Sequence, residues 1–209
     1  MFDMDSSYAF LITGVVLGLT AGISPGPLMA LVFVETMKYG KKEGAKIAVA
    51  PLITDFPIII FVFFVLSKFS GNSLIIGIIT LFGAGYLAYL GIGNLRTKEV
   101  ELELVPFKRG GILQGVITNF LSPHPYLFWL TIGGPIIFRG EGVFPASLFI
   151  IGFFSLLVGT KIGIALLVDK SRDFVESSLY VTIIRFLGIA LIVFALIFLK
   201  DGVRMVGGF

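Results

Sequence analysis

Six long stretches of the chain carry almost no charged residues, and shorter polar stretches separate them. These stretches span residues 6–34, 47–67, 69–95, 110–138, 142–168 and 177–199. Each is at least as long as the roughly 20 apolar residues needed to cross a hydrocarbon core about 30 Å thick. We therefore predict an all-α membrane protein with six transmembrane helices.

Composition supports this prediction and narrows the possible functions. The chain has 209 residues, 56% of them hydrophobic and 14% charged, with a mean hydropathy of +1.02. The six stretches leave no room for a soluble domain, so we predict one transmembrane domain over residues 1–209. Cysteine is absent, which excludes disulfides and cysteine-ligated metals. We expect no cofactor and no resident metal.

The Lys and Arg residues between the stretches predict the orientation. Ten lie on one side: Lys38, Lys41, Lys42, Lys46, Arg96, Lys98, Lys108, Arg109, Lys170 and Arg172. Four lie on the other: Lys68, Arg139, Lys200 and Arg204. The positive-inside rule then places both termini outside the cell. This bias also accounts for the basic pI, so no nucleic-acid partner is expected.

The two halves of the chain contain matching proline motifs. "SPGPLMALVF" begins at residue 24 and "SPHPYLFWLT" at residue 122, an offset of 98. Prolines break helices because they lack an N–H and clash with the preceding turn, so helices 1 and 4 should break at equivalent depths. Three helices per half make the second half run in the opposite direction. We predict an inverted repeat of residues 6–95 and 110–200, joined by a cytoplasmic linker at 96–109.

Inverted repeats with broken helices are typical of secondary transporters, which bind substrate where the helices break. The N-terminus of a half-helix offers free N–H groups and a positive dipole end to an anion such as a carboxylate. A kink that only improves packing is the alternative. The predicted substrate-binding residues are Ser24, Pro25, Gly26, Pro27, Asp55, Asn119, Ser122, Pro123 and His124.

Two segments resemble the lysine exporter (LysE/RhtB) family of amino-acid exporters. "GLTAGISPGPLMALVFVETMKYGKKEGAKIAVAPLITD" is similar to the family's first helix, basic loop and second-helix Asp. "GGILQGVITNFLSPHPYLFW" is similar to its fourth helix. Ser122 and His124 depart from the family pattern, which leaves the substrate open. The resemblance implies export of amino acids or related small metabolites across the cell membrane, with membrane lipid as surroundings and a homo-oligomer left open.

Ionisable residues within a membrane are rare and indicate function by default. Asp55 lies nine positions beyond Lys46, about 14 Å along a helix and thus near the midplane. Its charge needs a partner, which would be a substrate ammonium, a proton, Lys161 or Arg185. A structural Asp at a helix break is the alternative. Lys161 and Arg185 either serve as charge partners or proton-coupling groups, or extend to the membrane surface.

Other polar and aromatic residues give weaker signals. Asn119 can donate and accept beside an unwound helix. His124, the only histidine, either contacts substrate and senses pH or bonds to the backbone. We expect Trp129 to serve in packing and lipid contacts, and Glu35 to form a surface pair with Lys38.

Two features of the sequence are compatible with functions other than export of organic solutes. "GISPG" matches the G-x-S-x-G motif of hydrolases, but Pro25 follows the serine and has no N–H for an oxyanion hole. We therefore expect no enzyme activity. Export of a divalent metal cation is the closer alternative, although such sites need several converging carboxylates or histidines. The mixture of Asp55 with Lys161 and Arg185 suits an amino-acid-like zwitterion better, exported by alternating access.

Overall fold

The computed structural model describes residues 4–69, 72–97, 111–139, 142–170 and 178–207. This part of the chain is almost entirely helical. The helices are α1 (Met4–Ile23), α2 (Pro27–Tyr39), α3 (Lys41–Ala48), α4 (Ala50–Ser67), α5 (Ser73–Arg96), α6 (Gly111–Leu121), α7 (Pro123–Phe128), α8 (Gly134–Arg139), α9 (Val143–Lys170) and α10 (Ser178–Gly207), with a π-helical turn at Trp129–Gly133 between α7 and α8. Most of the predicted linker lies outside the described residues.

Four of the helical segments are long and apolar enough to cross a membrane. They are Lys41–Ser67, Ser73–Arg96, Val143–Lys170 and Val181–Gly207. Helices α1 and α2 would form a fifth span together, bent by 60° at their junction. The predicted all-helical membrane protein is confirmed at this level, whereas the count of six spans is not.

The first predicted break lies between α1 and α2. Pro25 and Pro27 lack the N–H groups that would continue the ladder of α1. Between them Gly26 is fully extended, with φ 178° and ψ 176°. Pro27 then opens α2 at its first position, where a missing N–H is tolerated.

The stretch 110–138 is interrupted more often than predicted. α6 ends at Leu121, Ser122 is extended, and Pro123 opens α7. After Phe128 the helix widens into the π-helical turn, where the N–H of Gly134 donates to the carbonyl of Trp129, five residues earlier. Pro135 follows directly and has no N–H for the carbonyl of Thr131, which lies inside this turn. The expectation of one break in this segment is therefore incomplete.

Close helix contacts organise the packing around these breaks. α1 runs along α9, and α5 runs along α10. A Cβ at Gly14 or Gly18 would overlap the backbone carbonyl of Phe149 or Phe153 on α9, so only glycine allows this approach. The largest cluster of buried apolar residues surrounds Trp129, Phe149 and Phe153 and lies beside the two breaks.

Candidate functional site

A cavity of about 190 Å³ lies where the two broken segments meet. Side chains from α1, α2, α4, α5, α6, α7, α9 and α10 line it. Among the predicted site residues, it brings together Ser24, Pro25, Gly26, Pro27, Asp55, Asn119, Ser122, His124 and Lys161. Pro123 and Arg185 do not line it. Residues 98 positions apart along the chain thus meet at one cavity.

Asp55 is 4% exposed and its carboxylate is held by three neighbours. Asn119 Nδ2 donates to Oδ1 at 2.9 Å, and Trp129 Nε1 donates to Oδ2 at 3.0 Å. Thr54 Oγ1 lies 3.2 Å from Oδ1. A carboxylate has about four acceptor sites, so this arrangement fixes its orientation and leaves capacity for one more donor from the cavity.

Asn119 links the second broken segment to α4. Its Nδ2 donates to Thr54 Oγ1 at 2.6 Å as well as to Asp55 Oδ1. Thr54 Oγ1 also lies 3.1 Å from the carbonyl of Ala50, one turn earlier. The amide therefore bridges a hydroxyl and a carboxylate that lie side by side on α4, as expected for a polar residue near an unwound helix.

Trp129 was expected to serve in packing and lipid contacts, and the lipid contact is wrong. The side chain is 1% exposed, packed edge-on against Phe149 and Phe153, and bonded to Asp55. The π-helical turn that begins at Trp129 places the indole toward α4; such turns are frequent at functional sites. The local sequence does not predict that Trp129 pairs with Asp55. The one available signal is that Trp129 is the only tryptophan in the chain.

Lys161 is 3% exposed, so it does not extend to the membrane surface. Its ammonium donates to the carbonyls of Ala21 at 3.3 Å and Gly22 at 3.1 Å. Both carbonyls belong to the last turn of α1. Within the described structure Lys161 and Asp55 line the same cavity without a direct ion pair.

The second break carries its own polar contacts. Ser122 caps α7, its Oγ accepting from the N–H of His124 at 3.4 Å. His124 Nδ1 lies 2.8 Å from Tyr86 Oη, and both residues line the cavity. Tyr86 was not predicted as a site residue, because it lies on a continuous apolar helix, α5, with no break to mark it.

Ser24 and His124 do not pair with each other. Ser24 Oγ donates to the carbonyl of Thr20 at 2.6 Å, whereas His124 contacts Tyr86. Neither contact resembles the nucleophile–base pair that the hydrolase hypothesis required.

Two other charged residues lie away from the cavity. Arg185 donates to the carbonyl of Thr97 through Nε at 2.9 Å and Nη2 at 2.7 Å, at the end of α5. Glu35 is 0% exposed, so the predicted surface position is wrong. The buried face of α2, which packs on α3, α6 and α9, contains this carboxyl.

The cavity combines one carboxylate, one ammonium and a largely apolar wall. Apolar lining residues include Leu17, Met29, Leu87, Phe128, Phe153 and Leu157. Among the described residues, no group of three or more His, Cys, Asp or Glu side chains is positioned to hold a metal ion. Opposite charges on apolar walls suit a small molecule that carries both charges and an apolar part.

Comparison with known proteins gives two matches. A family model described as LysE type translocator matches residues 19–202. A Bacillus subtilis (strain 168) protein named "Putative amino acid efflux protein YcgF" is 23% identical over 202 residues, which cover 93% of this chain and 97% of that protein. No solved structure matches the chain.

Proposed function

The chain belongs to the LysE type translocator family, and on that premise we propose that it exports amino acids or related small zwitterionic or cationic metabolites from the cytoplasm. The resemblance found in the sequence is confirmed by this membership. A relative of similar length carries the name of an amino acid efflux protein, which supports the substrate class.

The cavity at the two breaks is the observation that carries the proposal. We propose that Asp55 receives the substrate ammonium, because its carboxylate is pre-oriented by Asn119 and Trp129 and keeps a free acceptor position. The surrounding low dielectric strengthens such a charge-assisted hydrogen bond. A substrate of this kind would satisfy a buried charge that is costly to leave alone.

The substrate carboxylate would lie away from Asp55, at the first break. The N-terminus of α2 has no side-chain cap, and Leu28 and Met29 in its first turn line the cavity. Their N–H groups have no partner within the helix, and the dipole favours an anion there. Lys161 adds a positive charge to the same cavity. This arrangement supports a carboxylate site beside Pro25, Gly26 and Pro27.

We propose that the chain crosses the membrane six times as two inverted three-helix repeats. The packing is consistent with that plan: α1 lies along α9, while α4 lies along the segment α6–α8. These are equivalent pairs if helices 1, 2 and 3 of one repeat correspond to 4, 5 and 6 of the other. Rocking of one repeat against the other would expose the cavity to each side in turn.

The proposal also includes the membrane in which the protein lies and the energy source that drives export. We place the protein in the cell membrane with both termini outside, in contact with lipid. Export is coupled either to proton antiport through Asp55 or to the membrane potential, which contributes about 2.3 kcal/mol per charge per 100 mV. A homo-oligomer is compatible with either form of coupling.

The proposal is tested with purified protein in proteoliposomes. Labelled amino acids and, in parallel, Mn²⁺, Zn²⁺ and Cd²⁺ are offered under an inward pH gradient, an imposed potential, or neither. Protein-dependent flux of at least one amino acid supports the proposal. Flux of the metal ions alone would replace it with cation export, and protein-free liposomes provide the background rate.

A further inference from the structure

The contact between Lys161 and the end of α1 has a specific cause in the sequence. In an α-helix each carbonyl accepts from the N–H four residues later. The carbonyl of Ala21 would therefore accept from residue 25, which is proline and has no N–H. Lys161 Nζ lies 3.3 Å from that carbonyl. The ammonium thus occupies the position of the donor that Pro25 removes.

The next carbonyl is left open for a different reason. Gly22 would accept from Gly26, but Gly26 is fully extended, with φ 178° and ψ 176°, and has left the helical path. Lys161 Nζ lies 3.1 Å from the Gly22 carbonyl. One side chain on α9 therefore serves two carbonyls that the break deprives of their partners.

Electrostatics and packing favour this position of the charge. Unpaired carbonyls give the C-terminal end of a helix a partial negative charge, which stabilises a nearby cation. The approach is close because Gly22 has no side chain: a Cβ there would lie 2.9 Å from Thr160 Cβ, the residue before Lys161. Lys161 is 3% exposed, so these two carbonyls replace water as partners of its ammonium.

We propose that Lys161 is a positioning residue for the first break, rather than the counter-ion of Asp55. By donating to the carbonyls of Ala21 and Gly22, it caps the C-terminal end of α1 and fixes α1 to α9. The chain is then free to leave the helix at Pro25 and to present the first turn of α2 to the cavity. Only the transport readout described below rests on the proposed function.

Thermal stability of the purified protein separates the two roles without any substrate. Lys161→Met should lower the melting temperature by about 4 °C or more, because two buried carbonyls lose their donor. Adding Pro25→Ala to Lys161→Met restores an N–H opposite Ala21 and should recover at least half of that loss. Lys170→Met, at the exposed end of the same helix, is the matched control and should change little.

Adding Asp55→Asn to Lys161→Met tests the alternative, in which Lys161 is the counter-ion of Asp55. If Lys161 served as the counter-ion of Asp55, removing that carboxylate would recover the stability of Lys161→Met, and Pro25→Ala would not. Recovery by Asp55→Asn alone, or by neither substitution, overturns the proposal. Where Lys161→Met yields no folded protein, the folded yield of the two double variants replaces the melting temperature as the readout.

The substrate KM for transport shows whether Lys161 positions the site or only stabilises the fold. Lys161→Arg keeps two N–H donors for the carbonyls and should retain the substrate KM within about twofold. Lys161→Met combined with Pro25→Ala should raise KM at least about tenfold even where its folding is restored. An unchanged KM in that folded double variant would show that Lys161 stabilises the helix without positioning the site. If no amino acid is transported by the wild type, the proposed function fails while the stability result stands.

Discussion

Trp129 and Asp55 are joined by a hydrogen bond of 3.0 Å between the indole Nε1 and the carboxylate Oδ2. The bond crosses from the second broken segment to α4, and both side chains are buried. It makes the orientation of the site's carboxylate depend on the π-helical turn that follows α7. The carboxylate of Asp55 is therefore coupled directly to the second broken segment.

Replacing Trp129 by Phe should impair transport more than packing alone explains. The substitution keeps an aromatic ring among Phe149, Phe153 and Phe154 but removes the donor to Asp55. We expect a loss of about 1.5–3 kcal/mol in stability, as for hydrogen bonds to charged groups, and at least a tenfold loss of transport. The measurements are denaturation of purified protein and flux in proteoliposomes.

Phe149→Leu is the matched control for Trp129→Phe. Phe149 packs against the same indole but does not line the cavity. It should cost about 1–3 kcal/mol of stability and leave the flux per folded molecule near the wild-type value. Equal transport losses in both variants would mean that Trp129 acts through packing only.

Gly26→Ala should fold normally and bind substrate poorly. The extended backbone of Gly26 is accessible to any residue, and a Cβ there meets no atom within 4 Å. The methyl group would instead project into open space at a residue that lines the cavity. Stability should stay within about 0.5 kcal/mol, whereas the substrate KM should rise severalfold.

Gly85→Ala tests whether the effect is local to the cavity. Gly85 lies on the exposed side of α5, where a Cβ also meets nothing within 4 Å. Alanine there should stabilise the helix by about 0.5–1 kcal/mol without changing transport. An unaltered KM in Gly26→Ala would place the substrate away from the first break.

The orientation prediction concerns the C-terminus after α10. If ten Lys and Arg residues lie on one side and four on the other, the positive-inside rule predicts that both termini face outside. A C-terminal fusion to a reporter that is active only in the cytoplasm should stay dark, and a periplasm- or surface-active reporter should be active. A bright cytoplasmic reporter would reverse the orientation.

The breaks could be predicted from the sequence because proline chemistry is local. Pro25, Pro27 and Pro123 act on their own helical turns whatever surrounds them. Asp55 could be placed near the midplane from chain spacing at 1.5 Å per residue, and Asn119 could be named because its amide donates and accepts beside a helix break. These parts of the site required no knowledge of how the helices pack.

The partners of Lys161, Trp129 and Tyr86 could not be predicted, because they depend on helix rotation. The sequence named Lys161 as a candidate charge partner of Asp55, but the rotation of α9 against α1 directs its ammonium to Ala21 and Gly22. Glu35 was misassigned for the same reason: its spacing from Lys38 suggested a surface pair, whereas the packed face of α2 includes it.

We propose that Asp55 carries the charge function of the cavity. Asp55→Asn keeps the size of the side chain and removes its ionisation, and Asp169→Asn, at the exposed end of α9, is the matched control for losing one carboxylate. The decisive measurement is substrate binding and export by both variants across a range of pH.

If Asp55 pairs with the substrate ammonium, Asp55→Asn should bind at least about tenfold more weakly at every pH. If Asp55 carries a proton instead, binding should persist while export stops responding to the pH gradient. Asp169→Asn should behave as wild type in both assays. Export by Asp55→Asn at the wild-type rate with unchanged pH dependence would contradict the account and reassign Asp55 to holding the helices around the second break.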